Sequence, residues 1–338
     1  MGGPVLRIFV QRVLVAVPMM LVVSLMIFVV LRLLPADPLA MSLPPNATNE
    51  EAEALRQTLG LDRTIPEQYV IWLGEVVKGN LGHSIHDRQD VLDIVLMALP
   101  ATIELALVAL VLATVIGIVG GMAMFYVRHT RKEPVVDLVS TVMMSIPEFL
   151  WAIFLILAFG VAWNILPFMG RFDPAFTLER VTGFVFIDAL VAGRFEVFFS
   201  ALEHIVLPAF SLALAFSPLV MRTLRSSLLE VILEDYITLA RLRGISEIKI
   251  LVFHALRNAA LPTISLIGVQ FGFLFGGTLL VEVIYSYPGL GNQMVEAVRN
   301  HDLPIIQAVA LTYCLVILLI NAVIDVSYYI LNPKLRLS

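Results

Sequence analysis

The residues able to do chemistry are few and scattered. Glu104, Asp137, Glu148, Glu282 and Asp325 fall in or beside long apolar runs. Carboxylates buried in a membrane serve as proton relays or ion sites. Most of these lie near the ends of their runs, where water relieves the cost of the charge. Glu148 is the exception: it follows Pro147 inside an apolar run, where a proline frees a backbone carbonyl and kinks the helix. Two roles suit it, lining an aqueous pathway or pairing with a neighbouring polar group. His83 and His86 are near enough in sequence to share a metal ion, but no third ligand accompanies them. There is no glycine-rich loop ending in Gly-Lys-Ser/Thr to wrap a nucleotide's phosphates, and no His-Glu-x-x-His pair for zinc. The single cysteine, Cys314, excludes an internal disulfide and a thiolate cluster. No catalytic, cofactor or metal constellation is therefore expected in this chain.

The elements that position these groups are membrane helices. Of 338 residues, 59% are hydrophobic and 14% charged, against about 25% charged in soluble domains. Mean hydropathy is +0.92. A net charge of -5 offers no basis for nucleic-acid binding. The composition predicts an all-α integral membrane protein, a single transmembrane domain over 1–338. Runs of about 20 apolar residues cross the hydrocarbon core, and six are found, near 9–33, 101–127, 136–163, 203–226, 263–285 and 305–330. The first is read as an uncleaved helix: its apolar stretch exceeds a leader's, and no small-residue cleavage site follows.

Lys and Arg in the connections set the orientation. Arg7 and Arg12, then Arg128, Arg131 and Lys132, then Arg222, Arg225, Arg241, Arg243, Lys249 and Arg257, then Lys334 and Arg336 alternate with acid-biased segments. Both termini are therefore expected in the cytoplasm, with 35–100, 164–202 and about 286–304 outside. Within 35–100, residues 49–59 read as a polar helix that Thr48 caps and Gly60 ends. Residues 68–77 read as a second, with Tyr69, Trp72, Leu73 and Val76 on one face. The pair fits either an interfacial seal or a ligand site. Gly268, Gly272 and Gly276 recur every four residues in the fifth span, a spacing that suits close helix approach or a roomy pathway.

The inside loop 228–262 is too patterned for a linker. Residues 229–243 read as a helix continuing the fourth span, stopped by Gly244 with Arg241 and Arg243 in its last turn. Ser246 caps a second helix with Glu247 in its first turn, to about Asn258, and Pro262 starts the return into the membrane. This makes a protruding elbow suited to a groove on a cytoplasmic partner.

Thr238-Leu239-Ala240, three residues and then Gly244 resembles the cytoplasmic coupling loop of ABC importer permeases, whose pattern is Glu-Ala-Ala, three residues, Gly. Glu234, Asp235, Tyr236, Ala240, Arg241 and Gly244, followed by His254, Arg257, Asn258 and Pro262, is similar to the peptide/nickel-type family. That family reads Glu-Asp-Tyr-x-Arg-Thr-Ala-Arg-Ala-Lys-Gly. Thr238, Leu239, Leu242 and Arg243 depart from it, which bears on partner preference. The resemblance continues in order along the chain. It takes in Pro35-Ala36-Asp37-Pro38, Gly60-Leu61-Asp62, Gly79-Asn80-Leu81-Gly82, Ser145-Ile146-Pro147, Tyr287-Pro288-Gly289-Leu290-Gly291 and Asn332-Pro333-Lys334. Thr182-Gly183-Phe184 with Ile187-Asp188 resembles the dipeptide branch. The resemblance implies a type I importer permease fold in a bacterial or archaeal plasma membrane. It also implies a second homologous permease, two ABC ATPase subunits and an extracytoplasmic solute-binding protein as partners, with dipeptides or oligopeptides as cargo.

Overall fold

The computed structural model describes residues 2–33 and 63–331. The expected helix at 49–59, the segments around 35–38 and 60–62, and the tail motif from Asn332 lie outside the described residues. Among the described residues the secondary structure is helical, with one isolated bridge between His83 and Asp90. The elements are α1 (Gly2–Leu33), α2 (Ile65–Val77), α3 (Val91–Tyr126), α4 (Glu133–Ser145), α5 (Glu148–Leu155), α6 (Val185–Val191), α7 (Phe195–Val231), α8 (Asp235–Leu242), α9 (Glu247–Lys249), α10 (Leu256–Ile284), α11 (Leu290–Arg299) and α12 (Leu303–Leu331). Among the described residues five helical stretches are long and apolar enough to cross a membrane, and the bent pair of α4 and α5 with the π-helical extension Ile156–Ala162 makes a sixth if it is counted as one span.

Several boundaries differ from the sequence expectation. The second span begins ten residues early, at Val91 rather than 101, because its first turns carry Asp93 and pack on protein, which hydropathy does not register. The third span is two helices bent by 101°. Ile146, preceding the proline, is extended (φ -96°, ψ 117°), and Pro147 caps the next helix. A residue before proline is pushed out of the helical region, so the chain breaks where a kink was expected. The loop near 286–304 contains α11, whose ends are Gly289 and Asn300.

The chain forms two compact units, 1–100 with 288–319 and 101–287 with 320–338. In the first, Leu31, Val91, Ile94, Val95, Leu290, Ala297, Ile305 and Val309 share a buried core. Here α2 lies on α1: the Tyr69 hydroxyl is 2.8 Å from Ser24 Oγ and donates to the Leu21 carbonyl, while Trp72 and Tyr69 pack on the buried Phe28 ring. Asp302, fully buried, accepts from Ser84 Oγ and the His86 amide. In the second unit, α7 packs against α4, α5, α6 and α10.

Candidate functional site: an elbow and a buried clasp

The elbow is assembled from the base of the second unit. The helix expected over 229–243 is in fact two. α7 ends at Val231, and the Leu233 and Glu234 amides turn back to Glu230 and Val231. Glu234 then goes extended (φ -69°, ψ 146°) to cap α8, with Asp235 in the first turn, where the helix dipole favours an acid. Sequence periodicity missed this break because apolar residues continue through it.

α8 turns one stripe inward. Ile237 is fully buried and Ala240 is buried, in a core with Leu224, Leu228, Ile250, Leu251 and Ala255. Its C-terminus is a Schellman motif: the Gly244 amide donates to Arg241 O and the Ile245 amide to Ala240 O, while Ile245 packs on the same core. That geometry needs a left-handed residue, and Gly244 has φ +75°. Past it, Arg241 Nε donates to Glu247 Oε1 at 2.7 Å, tying α8 to α9 across the turn. The Arg241 hydrogen bond holds the Glu247 carboxyl below the usual carboxylate range. Tyr236 Oη accepts from Asn258 Nδ2 at 2.7 Å, so two residues singled out 22 positions apart meet.

The return also differs from expectation. α9, a π-helical turn (Ile250–Ala255) and α10 run on continuously, so Pro262 sits inside a helix instead of starting one. Arg257 is exposed. His254, half-buried, lies in the π turn. Arg128, which the sequence marked only for orientation, stacks over the Phe125 ring of the elbow core at 3.7 Å. Also unforeseen is an outward apolar surface: Leu233 (81% exposed), Leu242 (80%), Phe253 (68%), Ile248 and Leu239. Arg243, Lys249 and Arg257 are exposed on the same segment, and exposed apolar residues rimmed by polar ones mark docking surfaces.

At the span break, Glu148 opens α5. Its Oε1 lies 3.6 Å from where a Cβ on Gly277 would stand, beside Leu212 and Phe216. The two ends of the glycine row, about 80° apart around the helix, meet different surroundings. A Cβ on Gly268 would sit 2.6 Å from Ile324 Cγ2, whereas nothing lies within 4 Å of one on Gly276. Gly272 lies between them in α10. Gly268→Leu is accordingly expected to overpack α10 against α12 and destabilise by at least about 1–3 kcal/mol. Gly276→Leu should leave the chain's own melting unchanged. A Gly268→Leu protein that melts like wild type would contradict the close approach.

The opposite end of the second unit is held by charge. Glu104, at the start of the second apolar run, pairs with Arg171, both largely buried. Arg171 also donates to Gly183 O at 2.9 Å and to the Tyr287 hydroxyl. Tyr287 is almost wholly buried, and burial pushes its phenol well above the ordinary range, so it stays neutral. Pro288, Gly289 and Gly291 follow in the first unit, Gly289 as the cap of α11. Asp188, also buried, accepts from the Thr182 and Gly183 amides at 2.8 and 2.9 Å and from Thr182 Oγ1 at 2.6 Å. Burial acts to raise the Asp188 carboxyl, but these bonds outweigh it and hold the carboxyl below the ordinary range.

A depressed carboxylate stabilises above its unfolded pKa and loses that contribution as pH falls through the native one. Protection of the Thr182 and Gly183 amides from hydrogen exchange should therefore fall only below about pH 4. Asp188→Ala should abolish that protection at neutral pH, with a cost of about 1–3 kcal/mol for the donors left unpaired. Unchanged exchange in the variant would remove Asp188 from this role.

Residues 113–337 match the family described as binding-protein-dependent transport system inner membrane component, and residues 5–106 match that family's N-terminal region. The chain belongs to this family. It is 35% identical over 328 residues, 96% of this chain and 97% of the relative, to the di/tripeptide transport system permease protein DppB of Pseudomonas aeruginosa (strain UCBPP-PA14). It is 33% identical to the dipeptide transport system permease protein DppB of Escherichia coli (strain K12), over 98% of this chain and 99% of the relative. The inward-facing MetNI methionine ABC transporter has a chain of the same fold, with TM-score 0.54 and 15% identity, covering 71% of this chain and 96% of that one. As a permease of this family, the chain is a multi-pass inner-membrane transport subunit with the type I importer fold.

Proposed function

We propose that this chain is the pore-forming permease of an ATP-driven importer of dipeptides or oligopeptides. The observation that carries the reading is near-full-length likeness, at 33–35% identity, to two permeases named for di/tripeptide and dipeptide transport. In this reading both termini and the elbow face the cytoplasm. The chain works with a second homologous permease, two ABC ATPase subunits and an extracytoplasmic solute-binding protein. The chain itself hydrolyses nothing: the sequence has no loop to hold a nucleotide's phosphates.

The elbow supports a mechanical role. Its inward stripe is fused to α7 and α10 through one apolar core, so a push on α8 reaches two membrane helices. Its outward stripe offers Leu239, Leu242 and Tyr236 to a groove on the ATPase. ATP-driven closure of the ATPases would then move α8 and swing the spans around a cargo path beside Glu148 and Gly276. Vesicles holding the full complex should take up dipeptide only with internal ATP and the binding protein. Uptake that persists without ATP but collapses with the proton gradient would replace this reading with a proton-driven carrier. Specific nucleotide turnover by the purified single subunit would refute the division of labour.

A further inference from the structure

At the elbow end of α7, a second polar site lies outside the coupling surface. Between Ile205 and Met221 the helix carries 17 residues without a charge, about 25 Å of rise, and Arg222 and Arg225 follow at once. Groups placed so are at headgroup depth. They line a cavity of about 380 Å³ together with Asp137, Thr141, Met124 and Leu229.

The four charges there, Arg222 and Arg225 against Glu133 and Asp137, sum to zero, but they are unevenly shared. Arg225 is forked onto two carboxylates, Glu133 and Asp137, the latter at 2.6 Å. That leaves both acids engaged, and Arg225 Nε remains a buried donor that no described group accepts. Among the described residues Arg222 pairs with no carboxylate: its guanidinium reaches hydroxyls, Thr141 Oγ1 at 2.9 Å and Ser140 Oγ at 3.4 Å. Two hydroxyls orient an arginine without neutralising it. Arg131 and Lys132 flank the start of α4 and add positive charge on the water side. On the lipid side, α4 exposes Val135, Leu138, Val139 and Val142.

We propose that this cavity binds the phosphate of an anionic phospholipid headgroup. Arg222 is the principal contact, Thr141 its orienting neighbour, and Leu229 and the α4 face meet the glycerol and chains. Arginine at a hydrophobic boundary binds phosphate through a planar fork, which a zwitterionic headgroup offsets with its own cation. A soluble phosphate would gain nothing from the apolar wall, and so a lipid is the better occupant.

The test is native mass spectrometry of the purified importer complex titrated with phosphatidylglycerol or phosphatidylcholine. One arginine near a bilayer surface contributes about 1 kcal/mol, so Arg222→Gln should lower retained phosphatidylglycerol roughly fivefold and leave phosphatidylcholine unchanged. Arg222→Lys, which keeps the charge but loses the fork, should fall between wild type and Arg222→Gln. Because the Arg225 pairs are untouched, both variants keep the α4–α7 packing, which equal complex yield checks. Equal phosphatidylglycerol retention in wild type and Arg222→Gln overturns the proposal. So does a loss matched for phosphatidylcholine, and so does displacement of the lipid by millimolar inorganic phosphate, which would make the ligand a soluble anion.

Discussion

Gly244→Val should leave the complex assembled in the membrane while uptake and binding-protein-stimulated ATPase activity fall together, by roughly 5–30-fold. The figure follows from the backbone: a side chain in the left-handed region costs about 1–2 kcal/mol, and a β-branch is worse placed than most. Gly244 has φ +75°, and a Cβ there would meet nothing within 4 Å of its own chain. The β-carbon itself thus has room, and two causes stand out. Either the Schellman turn opens, or the added bulk blocks the ATPase groove. Gly244→Asn separates them. Asparagine tolerates the left-handed region, so it rescues a strained turn but not a blocked contact. Wild-type uptake and ATPase activity in the Val variant would show that the elbow does not hinge there.

Arg171→Met should have the largest effect on stability, about 3–5 kcal/mol, because it strands the Glu104 carboxylate in a largely buried site. Gly183 O and the Tyr287 hydroxyl lose their donor at the same time. The loop carrying Thr182 and Gly183 should then exchange its amides faster, and the complex should melt earlier. Adding Glu104→Gln should restore much of the loss, since removing both charges of a buried pair is far less costly than removing one. A single variant that melts with the wild type, or a double variant no better than the single, would mean that the pair does not clasp this end of the unit.

These two sites differ in how they could be read from the amino-acid order. At the elbow, Gly244 was legible because a glycine after a basic last turn is a helix stop in any context. The break before it at Glu234 was not. Leu228, Leu229, Val231, Ile232 and Leu233 keep a helical spacing straight through the end of α7, and only the packing of Ile237 under Leu224 and Leu228 requires a turn there. The clasp was not legible at all. Glu104 and Arg171 are 67 residues apart, and Arg171 stands in an irregular segment whose spacing carries no period. The same holds for Arg222 and Arg225, which read from sequence as orientation markers. Their division into a neutralised and an uncompensated arginine depends on which acids of α4 they face.

The order of residues by itself determined that this is a membrane protein of about six spans. A stretch of about 20 apolar residues has one stable place, and that is a property of local composition. It likewise determined the helix stop at Gly244 and the proline break near Pro147, because backbone restrictions act within one or two residues. The tertiary structure alone decided that the break at Pro147 reaches 101°, that Gly268 meets Ile324 while a Cβ on Gly276 meets nothing within 4 Å, and which acid finds which arginine. Those outcomes depend on groups brought together from distant parts of the chain, and no local pattern encodes a distance.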